Sequence, residues 1–178
     1  ALRAGLTVVN TNPLYTSDEL RHQLQDSGAT TIIILENFAQ TLQQVIDDTL
    51  VKHVIVTRMG DLLGFPKSLL LNTVVKHVKK MVPNYFLPGH VPFREALQLG
   101  ARHDYERPKM TLDDVAFLQY TGGTTGVAKG AILTHGNLVA NLQQVSAWLD
   151  AHTRKGEEKI ITALPLYHIF SLMANCLF

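Results

Sequence analysis

Short β-branched apolar blocks alternate with longer amphipathic stretches over the first third of the chain. Residues 6–9 form a β-rich run, residues 31–35 an isoleucine-rich strand and residues 53–57 a third strand. Between the first two blocks, Thr16 and Glu19 stand at capping-box spacing, a hydroxyl at the N-cap and an acid three residues on. Leu20 and Leu24 then repeat at helical spacing, and Gly28 sits where glycine closes a helix. Phe38, Leu42, Val45 and Ile46 mark a second amphipathic helix. Strands separated by helices imply βαβ crossovers, hence an α/β fold with a parallel sheet flanked by helices.

Further along, Leu70, Leu71, Val74, Val75, Val78 and Val82 share one helical face, with Lys76, Lys79 and Lys80 mostly on another. No acidic residue lies between Asp61 and Glu95. A basic amphipathic helix of this kind can rest on an anionic membrane surface. The commoner use, preferred here, is a surface helix whose apolar face covers the core while its lysines are solvated. Pro83, Pro88 and Pro92 then give an extended connection. Residues 115–120 and 131–134 read as two strands around a glycine-rich loop, and Asn137 as the N-cap of a helix running through Trp148. Residues 160–178 carry no Asp, Glu, Lys or Arg, close to the length of about 20 that spans a membrane. Pro165, His168 and Asn175 argue instead for a short buried strand at 160–163, a turn at Leu164-Pro165 and a buried helix. The chain thus divides into a βαβ portion, 1–110, and a second portion, 111–178, holding the loop hairpin, a helix and the start of another sheet segment.

Composition narrows the class of protein. With 46% hydrophobic and 17% charged residues the chain is globular, and a net charge of +1 demands neither nucleic acid nor membrane as partner. A lone cysteine, Cys176, excludes an internal disulfide and suits a reducing compartment; it reads as a small buried hydrophobe. No signal-peptide pattern is present. Ala1 opens in what reads as the tail of a helix and Phe178 closes inside an apolar stretch, so the chain reads as an internal piece of a longer protein. His22, His53, His77, His90, His103, His135 and His152 are scattered without metal-ligand spacing.

The chemistry concentrates in the loop Thr121, Gly122, Gly123, Thr124, Thr125, Gly126, Val127, Ala128, Lys129, Gly130. Its glycines allow backbone conformations in which amide N–H groups converge on one point. The threonines add hydroxyl donors and Lys129 a positive charge, a set that suits a polyphosphate. The NTPase P-loop needs Gly-Lys-Ser/Thr at its end. Here Ala128 precedes Lys129 and Gly130 follows it, so that motif fails, and so does the dinucleotide-binding glycine spacing.

Residues 118–129 resemble the AMP-binding motif of the adenylate-forming superfamily, with Gly122 where Ser is commoner and Ala128 where Pro is commoner. This form of the motif resembles bacterial long-chain fatty acid–CoA ligases, as do Asn10-Thr11-Asn12-Pro13-Leu14-Tyr15-Thr16 and Leu164-Pro165-Leu166-Tyr167-His168-Ile169-Phe170. The resemblance implies part of the large N-terminal domain of such an enzyme. It implies two steps: a fatty acid carboxylate attacks the α-phosphorus of MgATP to give acyl-AMP and pyrophosphate, and coenzyme A thiol then displaces AMP. It implies that Thr121, Gly122, Gly123, Thr124, Thr125, Gly126 and Lys129 hold the β- and γ-phosphates, that Lys129 and His168 are the catalytic candidates, and that His168 lines the acid pocket. The carboxylate for Mg²⁺, the acid for the ribose and the C-terminal domain lysine are expected beyond Phe178, so this chain alone is expected to be inactive. A cytoplasmic location is expected, with peripheral contact at the inner face of the membrane only under the membrane-resting use of the basic helix. Another acyl- or aryl-CoA ligase, another adenylating enzyme, or a non-catalytic nucleotide-binding module are the alternatives.

Overall fold

The computed structural model describes residues 1–121, 127–150, 153–154 and 156–177. Its contacts divide the chain into two units, one of Pro13–Tyr105 and one joining Ala1–Asn12 to Glu106–Phe178.

In the Pro13–Tyr105 unit, helix α1 (Ser17–Ser27) begins where its capping box directs. Thr16 Oγ1 accepts from the Glu19 N–H at 3.4 Å, and Glu19 Oε2 accepts from the Thr16 N–H at 2.8 Å. The helix stops at Gly28, whose φ of 63° is the left-handed conformation that glycine adopts without a Cβ penalty. Strand β2 (Thr31–Leu35) pairs in parallel with β3 (His53–Thr57), as their alternation with helices requires. A two-residue strand, β4 (Val91–Pro92), adds to the far side of β3, also in parallel. The second amphipathic segment is broken: a 3-10 turn, the short helix α2 (Ala39–Gln43) and another 3-10 turn share it. Leu42 and Val45 nevertheless point inward and are almost wholly buried, with Leu20, Leu24, Val54 and Val56 in the same cluster.

Helix α3 (Lys67–Thr73) runs on into a wider π-helical turn, Val74–Val78, and its inward side differs from the one expected. Ser68 and Val75 are buried, whereas Leu69, Leu70 and Val78 are 61%, 68% and 69% exposed. Val75 is inward as expected, but Leu70 is exposed although it lies ahead of the π turn, and Ser68, seven residues before Val75, takes the inward position instead. Helix α4 (Phe93–Gly100) follows β4.

In the other unit, β1 (Val8–Asn10) pairs in parallel with β5 (Val115–Thr121), and β5 pairs antiparallel with β6 (Lys129–Thr134). A bulge between Val115 and Phe117 turns two successive residues, Ala116 and Phe117, inward. Helix α5 (His135–Leu149) packs Leu138 against them, and Leu172 of the short helix α6 (Ile169–Leu172) completes the cluster. The α5 cap is Thr134, not Asn137: Thr134 Oγ1 accepts from the Asn137 N–H at 3.2 Å, and Asn137 Oδ1 accepts from the Thr134 N–H at 3.0 Å. Residues 160–163 form no strand; Ile160 and Ile161 are 61% and 88% exposed. Cys176 is exposed rather than buried. Among the described residues no helix is long and apolar enough to cross a membrane.

Candidate functional site

The glycine-rich segment lies between two adjacent antiparallel strands, and not between a strand and a helix. Strand β5 delivers Thr121 to one side of the turn and β6 delivers Lys129 to the other, and the two residues are paired in register. Both residues are exposed. Gly122, Gly123, Thr124, Thr125 and Gly126 lie outside the described residues.

Why the hairpin holds this register is visible one pair further in, where Tyr120 faces Gly130. A Cβ at Gly130 would stand 3.0 Å from Tyr120 Cε2 and Cζ. The ring therefore occupies the space a side chain at Gly130 would need, and Tyr120 is only 7% exposed. Glycine at this point lets the aromatic ring close over the base of the turn.

His168 stands at the N-cap of α6, in extended conformation and exposed. Its N–H donates to Pro165 O at 3.0 Å, closing the turn that the sequence predicts at Leu164-Pro165. Ser171, wholly buried, donates from Oγ to Leu164 O at 2.7 Å and ties the same turn to α6. The polar side chain of Asn175 donates to Ser171 Oγ at 3.1 Å. Thr121, Lys129 and His168 thus sit in one unit, two on the hairpin and one on the turn before α6.

Sequence reasoning passes over Gln119. It is 6% exposed on β5, and its amide bridges Asn10 of β1 and the carbonyl of Tyr167. The available signal is a lone amide within the apolar run of residues 115–120, at a position that alternation turns inward with Phe117.

A second polar cluster lies in the Pro13–Tyr105 unit, at the carboxyl ends of β2, β3 and β4. A small cavity of about 140 Å³ is lined there by Arg58, Asp61, Tyr85, His90 and Arg94 with Val56 and Pro92. Its charges are largely spent on the fold. Arg58 pairs with the buried Glu36 at 3.6 Å, and Arg94 donates to Asp61 O at 2.8 Å and Leu63 O at 3.0 Å. Burial pushes the Tyr85 phenol above its ordinary value of 10.0, and the Glu36 charge acts in the same direction against Arg58. This cluster fastens strand ends together. Among the described residues no three His, Cys, Asp or Glu groups are placed to hold a metal ion.

The profile of the AMP-binding enzyme family matches residues 1–178. The chain is 58% identical over 176 residues to a long-chain-fatty-acid–CoA ligase of Escherichia coli O157:H7, covering 99% of this chain and 31% of that protein. It is 57% identical over 180 residues to the ligase of the same description from Haemophilus influenzae, covering 99% of this chain and 32% of the relative. The chain therefore spans about a third of the length of these curated relatives. Among solved structures, a long-chain-fatty-acid–CoA ligase from Archaeoglobus fulgidus superposes with a TM-score of 0.57 at 28% identity, over 94% of this chain and 27% of that one. ATP-bound MatB from Rhodopseudomonas palustris shares the fold, with a TM-score of 0.66 at 22% identity over 97% of this chain and 28% of that one.

Proposed function

We propose, from the premise that the chain belongs to the AMP-binding enzyme family, that the complete protein is an ATP-dependent long-chain fatty acid–CoA ligase. The observation that carries this reading is the pairing of Thr121 with Lys129 across the mouth of a hairpin whose turn is rich in glycine and threonine. Hydroxyl and ammonium donors facing each other at that mouth fit the β- and γ-phosphates of ATP, whose charge several weak donors and one cation offset together. By the resemblance of the motif, Gly122, Gly123, Thr124, Thr125 and Gly126 complete the cradle, and His168 lines the pocket for the acid. Mg²⁺ arriving with the nucleotide would neutralise phosphate charge. The acid carboxylate displaces pyrophosphate from the α-phosphorus, and coenzyme A thiol then displaces AMP from the acyl-adenylate. The chain's own groups hold the leaving pyrophosphate and set its position relative to the acid.

The test is pyrophosphate exchange into ATP by the complete protein with fatty acid present. Lys129→Ala is expected to slow it by roughly a hundredfold, the loss of about 3 kcal/mol that one electrostatic contact in a transition state supplies. An unchanged rate removes Lys129 from the reaction. Absence of exchange in the unaltered protein would favour a nucleotide-binding module without catalysis. The proposal extends to a cytoplasmic location with peripheral contact at the inner face of the membrane. Its support is the region around α3, where Leu69, Leu70 and Val78 are exposed beside Lys76, Lys79 and Lys80.

A further inference from the structure

Gln119 joins three segments that the chain itself keeps far apart. Its Oε1 accepts from Asn10 Nδ2 at 3.3 Å, across the β1–β5 pair where the two residues are in register. Its Nε2 donates to Tyr167 O at 3.1 Å. A buried amide costs free energy unless its groups are bonded, and here both its oxygen and its nitrogen are. A linear apolar side chain of the same length would fill the space without that demand, so packing alone does not account for an amide.

What the amide links is informative. Two residues beyond Gln119 the strand ends at Thr121, about 7 Å along the backbone. One residue beyond Tyr167 stands His168, whose own turn is closed by Pro165 O and by the buried Ser171. Hence one side chain ties the root of the glycine-rich turn to the turn that carries His168. We propose that Gln119 is a positioning residue for acid activation, holding the His168 turn at a fixed distance from the Thr121–Lys129 hairpin. This rests on the ligase reading above: the hairpin orients the phosphates, the turn lines the acid pocket, and in-line attack depends on the distance between them. A misplacement of about 1 Å is enough to cost on the order of a hundredfold in rate.

The experiment uses the complete protein with Gln119→Met, which keeps the length and shape of the side chain and removes the donor. The expected result is a ten- to hundredfold fall in kcat/KM for fatty acid in pyrophosphate exchange. Affinity for ATP without acid should change less than threefold, because the hairpin itself is intact. If Gln119→Met does not fold, Gln119→Asn takes its place. That variant keeps the amide but is shorter by one carbon–carbon bond, about 1.5 Å, and should show the same loss. A variant with unaltered kcat/KM overturns the proposal, and so does an equal fall in ATP affinity, which would mean general damage to the sheet. If the unaltered protein shows no exchange dependent on fatty acid, the ligase reading itself fails, a result distinct from an unaffected Gln119 variant in an active enzyme.

Discussion

Replacing Gly130 by alanine should destabilise the protein, although glycine-to-alanine changes commonly do the opposite. Gly130 has an ordinary backbone, outside the left-handed region, so alanine meets no torsional objection there. On that count alone the change would stabilise by about 0.4–1 kcal/mol, by reducing the freedom of the unfolded chain. Against it stands the Tyr120 ring. The new Cβ would lie 3.0 Å from two ring carbons and 3.3 Å from the phenolic oxygen. Carbon contacts are optimal at about 3.5–4.0 Å, so the ring must retreat by roughly half an ångström or more. Tyr120 is 7% exposed and has little room to move. Overpacking of this kind costs about 1–3 kcal/mol, at least as much as the entropic gain, which leaves a net loss of up to about 2.6 kcal/mol. Gly100 is the control. It ends α4, has nothing within 4 Å of the site of a Cβ, and should gain about 0.5–1 kcal/mol as alanine. Urea unfolding of the complete protein reads both changes, and their midpoints should move in opposite directions. Because Lys129 adjoins Gly130 on β6, pyrophosphate exchange should also fall in Gly130→Ala, by about tenfold for a shift under 1 Å. A stabilised Gly130→Ala with full exchange would show that the ring does not press on the glycine and that the hairpin register is held otherwise.

Three other outcomes are expected. Leu42→Ala should cost about 2–5 kcal/mol because the side chain is wholly buried, while Leu70→Ala, 68% exposed, should cost about 0.5 kcal/mol or less; equal losses by urea unfolding of the complete protein would mean that Leu70 is covered there. Glu19 is held below its ordinary 4.5 by the Thr16 backbone N–H and then the Thr16 hydroxyl, so its cap stabilises α1 fully above that pH and loses this as pH falls through the lowered value; Glu19→Gln should remove this pH dependence, and an NMR titration placing the carboxyl at or above 4.5 would contradict it. If the α3 region meets an anionic membrane, reversing Lys76, Lys79 and Lys80 together should weaken vesicle binding of the complete protein by at least about 3 kcal/mol, and added salt should weaken it too; binding indifferent to both changes leaves the lysines merely solvated.

The features legible in the sequence are those whose causes lie within a turn or two of one another. Thr16 with Glu19 and Gly28 delimit α1 because a cap is a local hydrogen-bond arrangement. The blocks 31–35 and 53–57 became strands because β-branched runs flanked by helical segments have few alternatives. The hairpin around Thr121–Lys129 was readable because two strand-like runs with only a glycine-rich stretch between them are readily paired antiparallel. The cap of α5 shows the limit of local reading: Thr134 and Asn137 each carry a capping group, and they bond to each other reciprocally, so composition alone does not say which is outside the helix. Tertiary structure decided what depends on a distant partner. Strand β1 precedes α1 and β2 in the order of a βαβ unit, yet it pairs with β5, and Asn10 meets Gln119 across 109 residues. Three residues carry no pattern that distinguishes one sheet edge from another; the choice rests on the summed burial and hydrogen bonding of the whole unit. The inward side of α3 was likewise set by what packs beneath it, and residues 160–163, apolar enough for a strand, have no paired edge among the described residues. Gln119 belongs to the same class. An amide in an apolar run is visible in the sequence, but the backbone carbonyl it bonds is brought beside it only when the sheet and the Tyr167 turn have both formed.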